Sequence, residues 1–591
     1  MPDFDVVVLG GGTAGVLIAT GLAEAGRSVA LVEAGLVGGE SPYLACVPSK
    51  SMLASARRGE TWEHAVARRD GVTGQLDDNL IAARLAETGV RLIRGTGQVT
   101  KPGAVEITPA GGGRVGHGRP DRAARAGNPG AGNAARADNP ARVDNPRAGN
   151  AARTGKPGAD DTARADRPGA DDAARAEGPG ADDAARAEGP GAGNPARADR
   201  PGAGNPARTG NPGAGNAGAD NAGADDAGAD DAVRADGPGT DDAPGTVLGY
   251  GDLVIATGSE PLAPPVEGLS DVPTWTSAEA LSSPDLPRHL IVMGAGPAGC
   301  ELAQIYAAFG SQVTLIEAEP QVLPDEAPFT GEILSGALRR TGADLRLGSP
   351  VVKAAPLDKG LTLVLADGTS LEGDRILLAT GRRPRLGGLR LDKLGVAPSA
   401  SGALQVDATC RVLTASGQPA EAAQPVPGTG TGRVWAAGDV TGIAPNTHTA
   451  RYQASVVIAN ILGERRAADY RAIPRCVFTT PSVYCVGVTP GQAATAGIQL
   501  HTVGLDLAET ARAAVEDDGW GRIELYADTA RGDMLVGAAA VGRYAEEWMG
   551  ELTLAIRAGL SLRMLADVVH AFPTYGEAIE RSLRELAVNA H

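Results

Sequence analysis

One short segment of the chain, residues 38–50, holds side chains that could take part in redox chemistry. Cys46 follows Ser41 by five positions and precedes Lys50 by four. A thiolate is a strong nucleophile and can be oxidised reversibly, whereas a serine hydroxyl cannot form a disulfide. A helix is predicted over residues 49–57, and a helix N-terminus favours a thiolate over a thiol. The segment therefore predicts a single thiol at a helix start and no thiol pair.

Two glycine-rich turns predict two dinucleotide sites. A buried strand enters the first turn, a helical pattern follows at residues 16–26, and the next strand ends at Glu33. The turn itself contains Gly10, Gly12 and Gly15. In such a turn the first glycine allows the tight bend, the second lets the backbone approach a pyrophosphate, and the third lets the helix pack on the strand. The helix N-terminus faces the phosphates, and Glu33 can bind ribose hydroxyls.

The same pattern recurs in the middle of the chain. Another strand leads into Gly294, Gly296 and Gly299, and the strand after the helix ends at Glu317. We expect Glu317 to bind the adenosine ribose, whereas Glu317 and Glu319 would repel a 2′-phosphate. No arginine stands at or just after this strand end to accept that phosphate. The second site is therefore predicted to prefer NADH to NADPH.

Composition and charge narrow the class of protein. The chain has 591 residues and a net charge of −17, without an evident basic patch that could neutralise nucleic-acid phosphates. Its five cysteines lack the close pairing of a zinc site, and no apolar run is long enough to cross a membrane. The acidic N-terminus does not read as a secretory signal. We expect a cytoplasmic protein without a metal site, a nucleic-acid partner or an integral membrane segment.

Residues 111–244 differ sharply from the rest of the chain. The interval contains no Phe, Tyr, Trp, Leu, Ile, Met or Cys, and an eleven-residue repeat runs through residues 156–199. Each repeat contains Pro and Gly and no apolar stripe, so we predict a disordered insert, with an interaction tether as the alternative. The flanks, residues 95–109 and 246–258, read as strand, turn and strand. The insert is therefore predicted to replace a surface hairpin turn.

Further motifs follow the glycine turns in a characteristic order. Thr257-Gly258 and Gly381 each follow an apolar strand, Gly438-Asp439 follows another, and a helix start with His448 and Ala450 comes next. Together with the two turns and residues 38–50, this order resembles the class I pyridine nucleotide-disulfide oxidoreductases. That family includes dihydrolipoyl dehydrogenase, glutathione reductase and mercuric reductase.

The resemblance implies cofactors and their ligands. FAD is the implied ligand of the first turn, and NAD(H) of the second, with NADP(H) less favoured. The implied FAD-binding residues outside the first turn are Lys50, Thr257, Gly258, Gly438, Asp439, His448 and Ala450, and Gly381 is assigned to NAD. His448 is interpreted as a positioning residue, with a catalytic role as the alternative.

The resemblance also implies the domain order. An FAD-binding domain is predicted over residues 1–280, interrupted by the insert, and an NAD(H)-binding domain over residues 281–390. A second FAD-binding part covers residues 391–470, and a dimerisation domain covers residues 471–591. The implied fold class is α/β, with two Rossmann-like domains and a C-terminal α+β domain, and the implied assembly is a homodimer.

Two departures from the family concern thiol chemistry. In the family, the first cysteine exchanges with the substrate disulfide and the second lies against the flavin. A histidine from the partner subunit, held by a glutamate five residues later, is the acid–base. Here Ser41 replaces the first cysteine and Phe572 stands at the histidine position, while Glu577 is retained; His570 lies two residues earlier and is expected to point elsewhere. The paired loss predicts that disulfide reduction is not the reaction.

Cys46, Lys50, Glu301 and Glu577 are the remaining catalytic candidates. By resemblance, Cys46 would be a thiolate against the flavin or would cycle through a sulfenic acid; alternatively, it is a remnant that fills a small apolar site. Lys50 and Glu301 resemble a family pair near the reactive flavin nitrogen, and the alternative is an ordinary buried ion pair.

The leading hypothesis is an FAD-dependent NAD(P)H oxidoreductase without a dithiol relay. Its acceptor is predicted to be a small quinone-type molecule, in an apolar site lined by Tyr43 and Phe572. One alternative is a single-thiol NADH oxidase, peroxidase or low-molecular-weight disulfide reductase that depends on Cys46. The other is a degenerate, non-catalytic flavoprotein.

Overall fold

The computed structural model describes residues 3–109, 245–421, 432–531 and 534–589. The predicted disordered insert, residues 111–244, lies outside these described residues. Three successive sheet systems make up the fold, and their order follows the chain.

The first sheet is mainly parallel. Its elements and the helices between them are β1 (Phe4–Leu9), α1 (Thr13–Glu24), β2 (Val29–Glu33), α2 (Glu40–Tyr43), α3 (Cys46–Arg57), α4 (Trp62–Val72), α5 (Asn79–Glu87), β3 (Arg91–Lys101), β4 (Ala104–Pro109) and β5 (Thr246–Ile255). Strands β3, β2, β1 and β5 run parallel in that order, and the ends of β3 and β5 pair antiparallel with β4. The helix predicted over residues 16–26 begins earlier, at Thr13.

Strand β1 lies at the centre of this sheet and is buried on both faces. Val6 and Val8 belong to one apolar core, and Val7 and Leu9 belong to another. Successive side chains of a strand point to opposite faces, so one short apolar run supports a core on each side. This is the arrangement expected of a parallel strand covered by helices or loops on both faces.

The strands on either side of the insert pair with each other. Ile107 of β4 lies opposite Thr246 of β5, and the antiparallel register continues to Ala104 opposite Gly249. The described ends of the chain therefore meet in one ladder, as a hairpin would.

The second sheet repeats the first. Its elements in chain order are β6 (Ser259–Pro261), β7 (Thr274–Thr276), α6 (Ser277–Ser282), β8 (His289–Met293), α7 (Pro297–Ala308), β9 (Gln312–Ile316), α8 (Pro328–Arg340), β10 (Asp344–Arg346), β11 (Val351–Pro356), β12 (Leu361–Leu365), β13 (Ser370–Gly373), β14 (Arg375–Leu378) and β15 (Arg382–Pro384). Strands β10, β9, β8, β14 and β7 are parallel in that order, β11 to β13 form an antiparallel meander, and β6 pairs with β15.

The chain then returns to the first sheet. Strand β16 (Val434–Ala436) adds to it in parallel beside β5, and helix α9 (Thr447–Ile461) packs against α1. The return brings a second segment of the chain to the carboxyl ends of the first sheet's strands, where ligands bind in open α/β sheets.

The C-terminal part is an antiparallel sheet with helices on one side. Its elements are β17 (Arg475–Val477), β18 (Ser482–Gly487), α10 (Pro490–Ala496), β19 (Leu500–Asp506), α11 (Ala511–Glu516), β20 (Arg522–Asp528), β21 (Met534–Gly542), α12 (Ala545–Trp548), α13 (Gly550–Ala558), α14 (Leu562–Ala566) and α15 (Gly576–Asn589). The strand order is β17-β18-β21-β20-β19. Two parallel α/β units and this α+β unit confirm the predicted fold class.

Candidate active site

The first glycine turn is shaped by close backbone contacts. Gly10 has φ +99°, and a Cβ there would lie 2.3 Å from the Ala256 carbonyl oxygen. A Cβ on Gly15 would lie 1.8 Å from the Gly10 oxygen. Gly12 differs, because a Cβ there would meet no atom within 4 Å, and no side chain caps the helix that follows. The open backbone at Gly12 and the uncapped helix start fit a pyrophosphate group.

The second turn has the same glycine conformation and the same close backbone contacts as the first. Gly294 also has φ +99°, and a Cβ on Gly299 would lie 1.9 Å from its oxygen. Gly296, like Gly12, has open space where a Cβ would stand, and the helix after it has no side-chain cap. The two turns therefore offer two equivalent sites for dinucleotides.

The acids that end the second strand of each unit are held in the same way. Glu33 accepts hydrogen bonds from the backbone N–H of Gly11 and from that of Gly35, at 2.5 and 2.6 Å. Glu317 accepts from the backbone N–H of Ala295 at 2.6 Å and from that of Glu319 at 3.1 Å. Each carboxylate is fixed beside its glycine turn, where a ribose would follow the pyrophosphate.

A second set of predicted FAD ligands gathers at the ends of β5 and β16. The Ser259 hydroxyl donates to Asp439 Oδ2 at 2.6 Å. Thr257 Oγ1 donates to a backbone carbonyl, and Gly258 follows it with φ +72°. A Cβ on Gly438, which has φ +83°, would lie 3.7 Å from the Ala450 methyl group. The structure therefore brings these predicted residues to one edge of the first sheet.

Arg382 connects this edge to the thiol segment. Its Nε donates to Ser259 Oγ at 2.7 Å, and its Nη2 donates to Glu40 Oε2 at 2.7 Å. Ser259 thus accepts from Arg382 while it donates to Asp439. These contacts were not predicted from the sequence, because Arg382, Ser259 and Glu40 come from distant parts of the chain.

Lys50 and Glu301 meet where α3 packs against α7. Lys50 Nζ lies 2.8 and 3.1 Å from the two carboxylate oxygens of Glu301, and Glu301 also accepts the Phe478 backbone N–H at 3.0 Å. Lys50 Nζ also lies 4.4 Å from the centroid of the Phe478 ring. The predicted pair therefore exists, and its carboxylate side chain is only 7% exposed.

Cys46 is the first residue of α3, three residues earlier than the predicted helix start. Pro48 lies in the first turn of this helix, where a proline loses no helical hydrogen bond. Cys46 and Lys50 are four residues apart and so share a face of α3. The Cys46 Sγ lies 3.5 Å from Thr447 Oγ1, and Thr447 Oγ1 donates to Ser41 Oγ at 3.1 Å. Thr447 was not among the predicted site residues.

A large cavity lies beside the second glycine turn. Its volume is about 1660 Å³. The lining comes from Gly294 and Gly296, from Gly381, and from Asn446 and Cys476 further along the chain. One continuous space therefore runs from the predicted NAD(H) site to the start of α9, where His448 and Ala450 lie. Burial raises the pKa of the Cys476 thiol to about 12.

Other predicted residues are committed to contacts of their own. His448 Nε2 lies 2.8 Å from the carbonyl oxygen of Pro474, which fits the positioning role. Glu577 accepts the backbone N–H of Ala511 at 2.9 Å. Both therefore support neighbouring backbone, and any further role must share these contacts.

The aromatic residues differ in exposure. Phe572 is 75% exposed, whereas Tyr43 is 6% exposed and packs with Leu44 and Ala278. The prediction that Tyr43 lines an acceptor site is therefore wrong. Its position in a short helix between Gly39 and Leu44 turns the ring into the core. His570 also points into its own domain, where Nε2 lies 2.9 Å from Glu551 Oε1.

Comparison with known families supports the sequence resemblance. The family model described as pyridine nucleotide-disulphide oxidoreductase matches residues 4–122 and 230–454, and the model of its dimerisation domain matches residues 473–583. Dihydrolipoyl dehydrogenase 3 from Pseudomonas putida is 34% identical over 366 residues, which are 60% of this chain and 74% of that protein. Mercuric reductase from Streptomyces lividans is 32% identical over 354 residues, 58% of this chain and 71% of that protein. These matches confirm the predicted family.

Solved structures share the fold. The HOCl-induced flavoprotein disulfide reductase RclA from Escherichia coli, in its Cu(II) complex, has a TM-score of 0.67 and 21% identity, covering 100% of both chains. LpdA from Mycobacterium tuberculosis has a TM-score of 0.66 and 20% identity, covering 98% of this chain and 99% of that one. Across the described segments of this chain, none of the helices has the length and apolar character that a membrane crossing requires.

Proposed function

Because the chain belongs to the pyridine nucleotide-disulphide oxidoreductase family, we propose a specific form of that family's reaction, in which NAD(P)H reduces a quinone-type acceptor without a dithiol relay. At the coarser level the chain is an FAD-dependent pyridine nucleotide oxidoreductase, as its relatives are. FAD, when bound, takes up the reducing equivalents of NAD(P)H and passes them to the acceptor. The protein's own residues bind, orient and supply protons.

The observation that carries the proposal is the hydroxyl at position 41. Thiol exchange needs an attacking thiolate and a group that manages its proton. Ser41 supplies a hydroxyl that already accepts a hydrogen bond from Thr447. All five cysteines lie in the described residues and are free thiols, so Cys46 has no disulfide partner. A relay between two sulfurs is therefore not expected at this site.

The acid–base side of the site supports the same proposal. The Phe572 ring, which stands at the family's histidine position, cannot accept a proton. Glu577, which would hold that histidine, accepts the Ala511 backbone N–H instead. An acceptor that needs no thiol exchange, such as a quinone, is consistent with both observations, and the exposed Phe572 ring offers it an apolar surface.

The assembly, location and electron donor of the enzyme are proposed from its domains, thiols and charges. The chain contains the family's dimerisation domain, and we propose a homodimer in which Phe572 of one subunit faces the segment around Cys46 of the other. The free thiols support the cytoplasmic location expected from the sequence. The carboxylates of Glu317 and Glu319 support NADH as the preferred donor.

A direct test is anaerobic reduction of the holoenzyme with NADH, followed by mixing with one acceptor at a time. Benzoquinone should restore the oxidised flavin spectrum faster than lipoamide, oxidised glutathione or oxygen. Faster reoxidation by a disulfide would contradict the proposal. A yellow protein that NADH does not bleach would instead indicate a non-catalytic flavoprotein.

A second candidate rests on the half-buried thiol of Cys46 and its contact with Thr447. A single-thiol oxidase, peroxidase or disulfide reductase would lose its reaction in C46S, whereas quinone reduction should persist in that variant. The double variant S41C/F572H is the matched comparison for the loss of disulfide reduction. It restores both the cysteine and the histidine that the family has at these two positions. Disulfide reduction should appear in the double variant and remain weak in either single one.

A further inference from the structure

Thr447 joins Ser41 and Cys46 into one hydrogen-bonded chain. The three residues come from three elements: Ser41 lies in α2, Cys46 begins α3 and Thr447 begins α9. Thr447 Oγ1 donates its hydroxyl proton to Ser41 Oγ at 3.1 Å. A threonine has one such proton, so the Cys46 thiol is the donor in the 3.5 Å contact with Thr447 Oγ1. The donors therefore run in one direction, from Cys46 through Thr447 to Ser41.

The proposed reaction creates a need for such a chain. Reduction of a quinone consumes two electrons and two protons, and NADH delivers two electrons with one proton as a hydride equivalent. The balance is NADH + H⁺ + quinone → NAD⁺ + hydroquinone. The second proton must reach an acceptor oxygen, and the usual family acid is absent because Phe572 stands in its place.

Other proton-bearing side chains of the site are engaged elsewhere. Lys50 is paired with the carboxylate of Glu301, His448 bonds to the Pro474 carbonyl, and His570 pairs with Glu551 in its own domain. Position 41, by contrast, corresponds to the family's substrate-facing cysteine, and position 46 to the flavin-facing one. By this resemblance, the chain that ends at Ser41 points to the substrate side of the site.

We propose that Cys46, Thr447 and Ser41 form a proton relay to the acceptor, an inference that rests on the proposed quinone reduction. Ser41 gives its O–H proton to the acceptor oxygen and receives the Thr447 proton, and Thr447 receives the proton of the Cys46 S–H bond. Each hydroxyl breaks one O–H bond and forms another, so neither keeps a charge. The net result is one proton moved from sulfur to the acceptor, and solvent then reprotonates the half-exposed Cys46.

A hydroxyl at the end of the relay is suited to proton transfer, because it can donate one proton while it accepts another. Ser41 is better suited to this role than the family's first cysteine, because a hydroxyl can transfer a proton without being oxidised.

The test compares two acceptors in matched variants of the holoenzyme. Ferricyanide takes electrons without a proton, so the ratio of the benzoquinone rate to the ferricyanide rate isolates the protonation step. T447V removes the central hydroxyl at nearly constant shape. T449V is the control, because the buried Thr449 hydroxyl has no hydrogen-bond partner among the described residues.

The ratio should fall at least tenfold in T447V and in S41A and stay unchanged in T449V, given that positioned proton transfer contributes roughly 100-fold or more. Because the slowed protonation step then limits turnover more fully, the solvent deuterium isotope effect on benzoquinone reduction should also grow in T447V. If the wild type reduces benzoquinone and T447V has the same ratio of benzoquinone rate to ferricyanide rate, the relay is overturned and the proposed quinone reduction stands. A wild type that reduces ferricyanide but not benzoquinone would overturn the proposed function, and the relay with it.

A second readout does not depend on turnover. In the oxidised holoenzyme, Thr447 can rotate to donate to the Cys46 thiolate, and a hydrogen bond to a charged group is stronger than one from S–H. Alkylation of Cys46, followed by mass spectrometry against pH, should therefore shift to higher pH in T447V and not in T449V. Identical profiles in all three proteins would show that Thr447 does not act on Cys46.

Discussion

Cys46 should be the one cysteine that iodoacetamide modifies readily in the folded protein. The thiolate is the reactive form, so the pKa decides the rate. Burial raises the pKa of Cys410 to about 11 and that of Cys476 to about 12, and it raises those of Cys300 and Cys485 well above the ordinary value. Cys476 is the informative competitor, because it too is only half-buried and lines the large cavity.

The expected difference is large. At pH 8, a thiol with a pKa of about 12 is ionised in about one molecule in 10,000, whereas a thiol of ordinary pKa, about 8.5, is ionised in about a quarter of molecules. The raised pKa also makes the rarer thiolate more nucleophilic, but that gain is much smaller than the loss of ionised form. Cys476 should therefore react roughly 40- to 100-fold more slowly in the folded protein than in the urea-denatured chain, where its thiol has an ordinary pKa.

The assay is alkylation at pH 8 followed by peptide mapping. One label per chain should appear on Cys46, C46S should take up almost none, and the urea-denatured chain should take up five. Because the pKa of Cys476 is raised, its labelling should increase about tenfold for each unit of pH up to about pH 11. Comparable rates for Cys476 and Cys46 at pH 8 would refute the assignment of burial as the controlling factor.

Three further predictions address the cofactor sites and the insert. K50M leaves the buried Glu301 carboxylate without its cation. It should lower the free energy of unfolding by roughly 1–3 kcal/mol, a range that allows for the 32% exposure of Lys50. The thermal midpoint should fall, and K50M/E301Q should recover part of the lost stability. E319R should lower the KM for NADPH while the KM for NADH changes little, and an unaltered preference would argue against charge repulsion as its cause. Replacing residues 111–244 by a two-residue turn should keep the flavin content and raise the free energy of unfolding by up to about 3.6 kcal/mol, since about six halvings of loop length recover about 0.6 kcal/mol each; a lower thermal midpoint would contradict this.

The features that were predictable from sequence are those fixed by neighbouring residues. Gly10 and Gly15 were predicted to form a tight turn, and the structure shows why no side chain fits there: a Cβ on either would collide with backbone oxygen. The second turn, at Gly294 and Gly299, follows from the same local rule. The ladder between β4 and β5 was also predictable, because both flanks of the insert read as strands.

Contacts between distant parts of the chain could not be predicted in this way. The bond from Thr447 to Ser41 joins residues 406 positions apart, and the Arg382 contact to Glu40 spans 342. They depend on where α9 packs against α1 and on where β15 pairs with β6, which no local pattern specifies. Tyr43 was placed wrongly for a related reason, since its neighbours in sequence do not indicate which face of a four-residue helix becomes core.

Glu577 illustrates how a retained residue can mislead. The family pairs a catalytic histidine with this glutamate, so Glu577 suggests that one member of the acid–base pair is still present although the histidine is not. In the structure its carboxylate accepts the N–H of Ala511 at the first position of α11 and lies 3.9 Å from Arg581. A carboxylate at a helix start is stabilised by the unpaired N–H groups and the helix dipole, whatever happens to the histidine. These contacts show that Glu577 supports the fold of its own domain, while its catalytic role stays a prediction, and the proposed relay through Ser41, Thr447 and Cys46 does not depend on it.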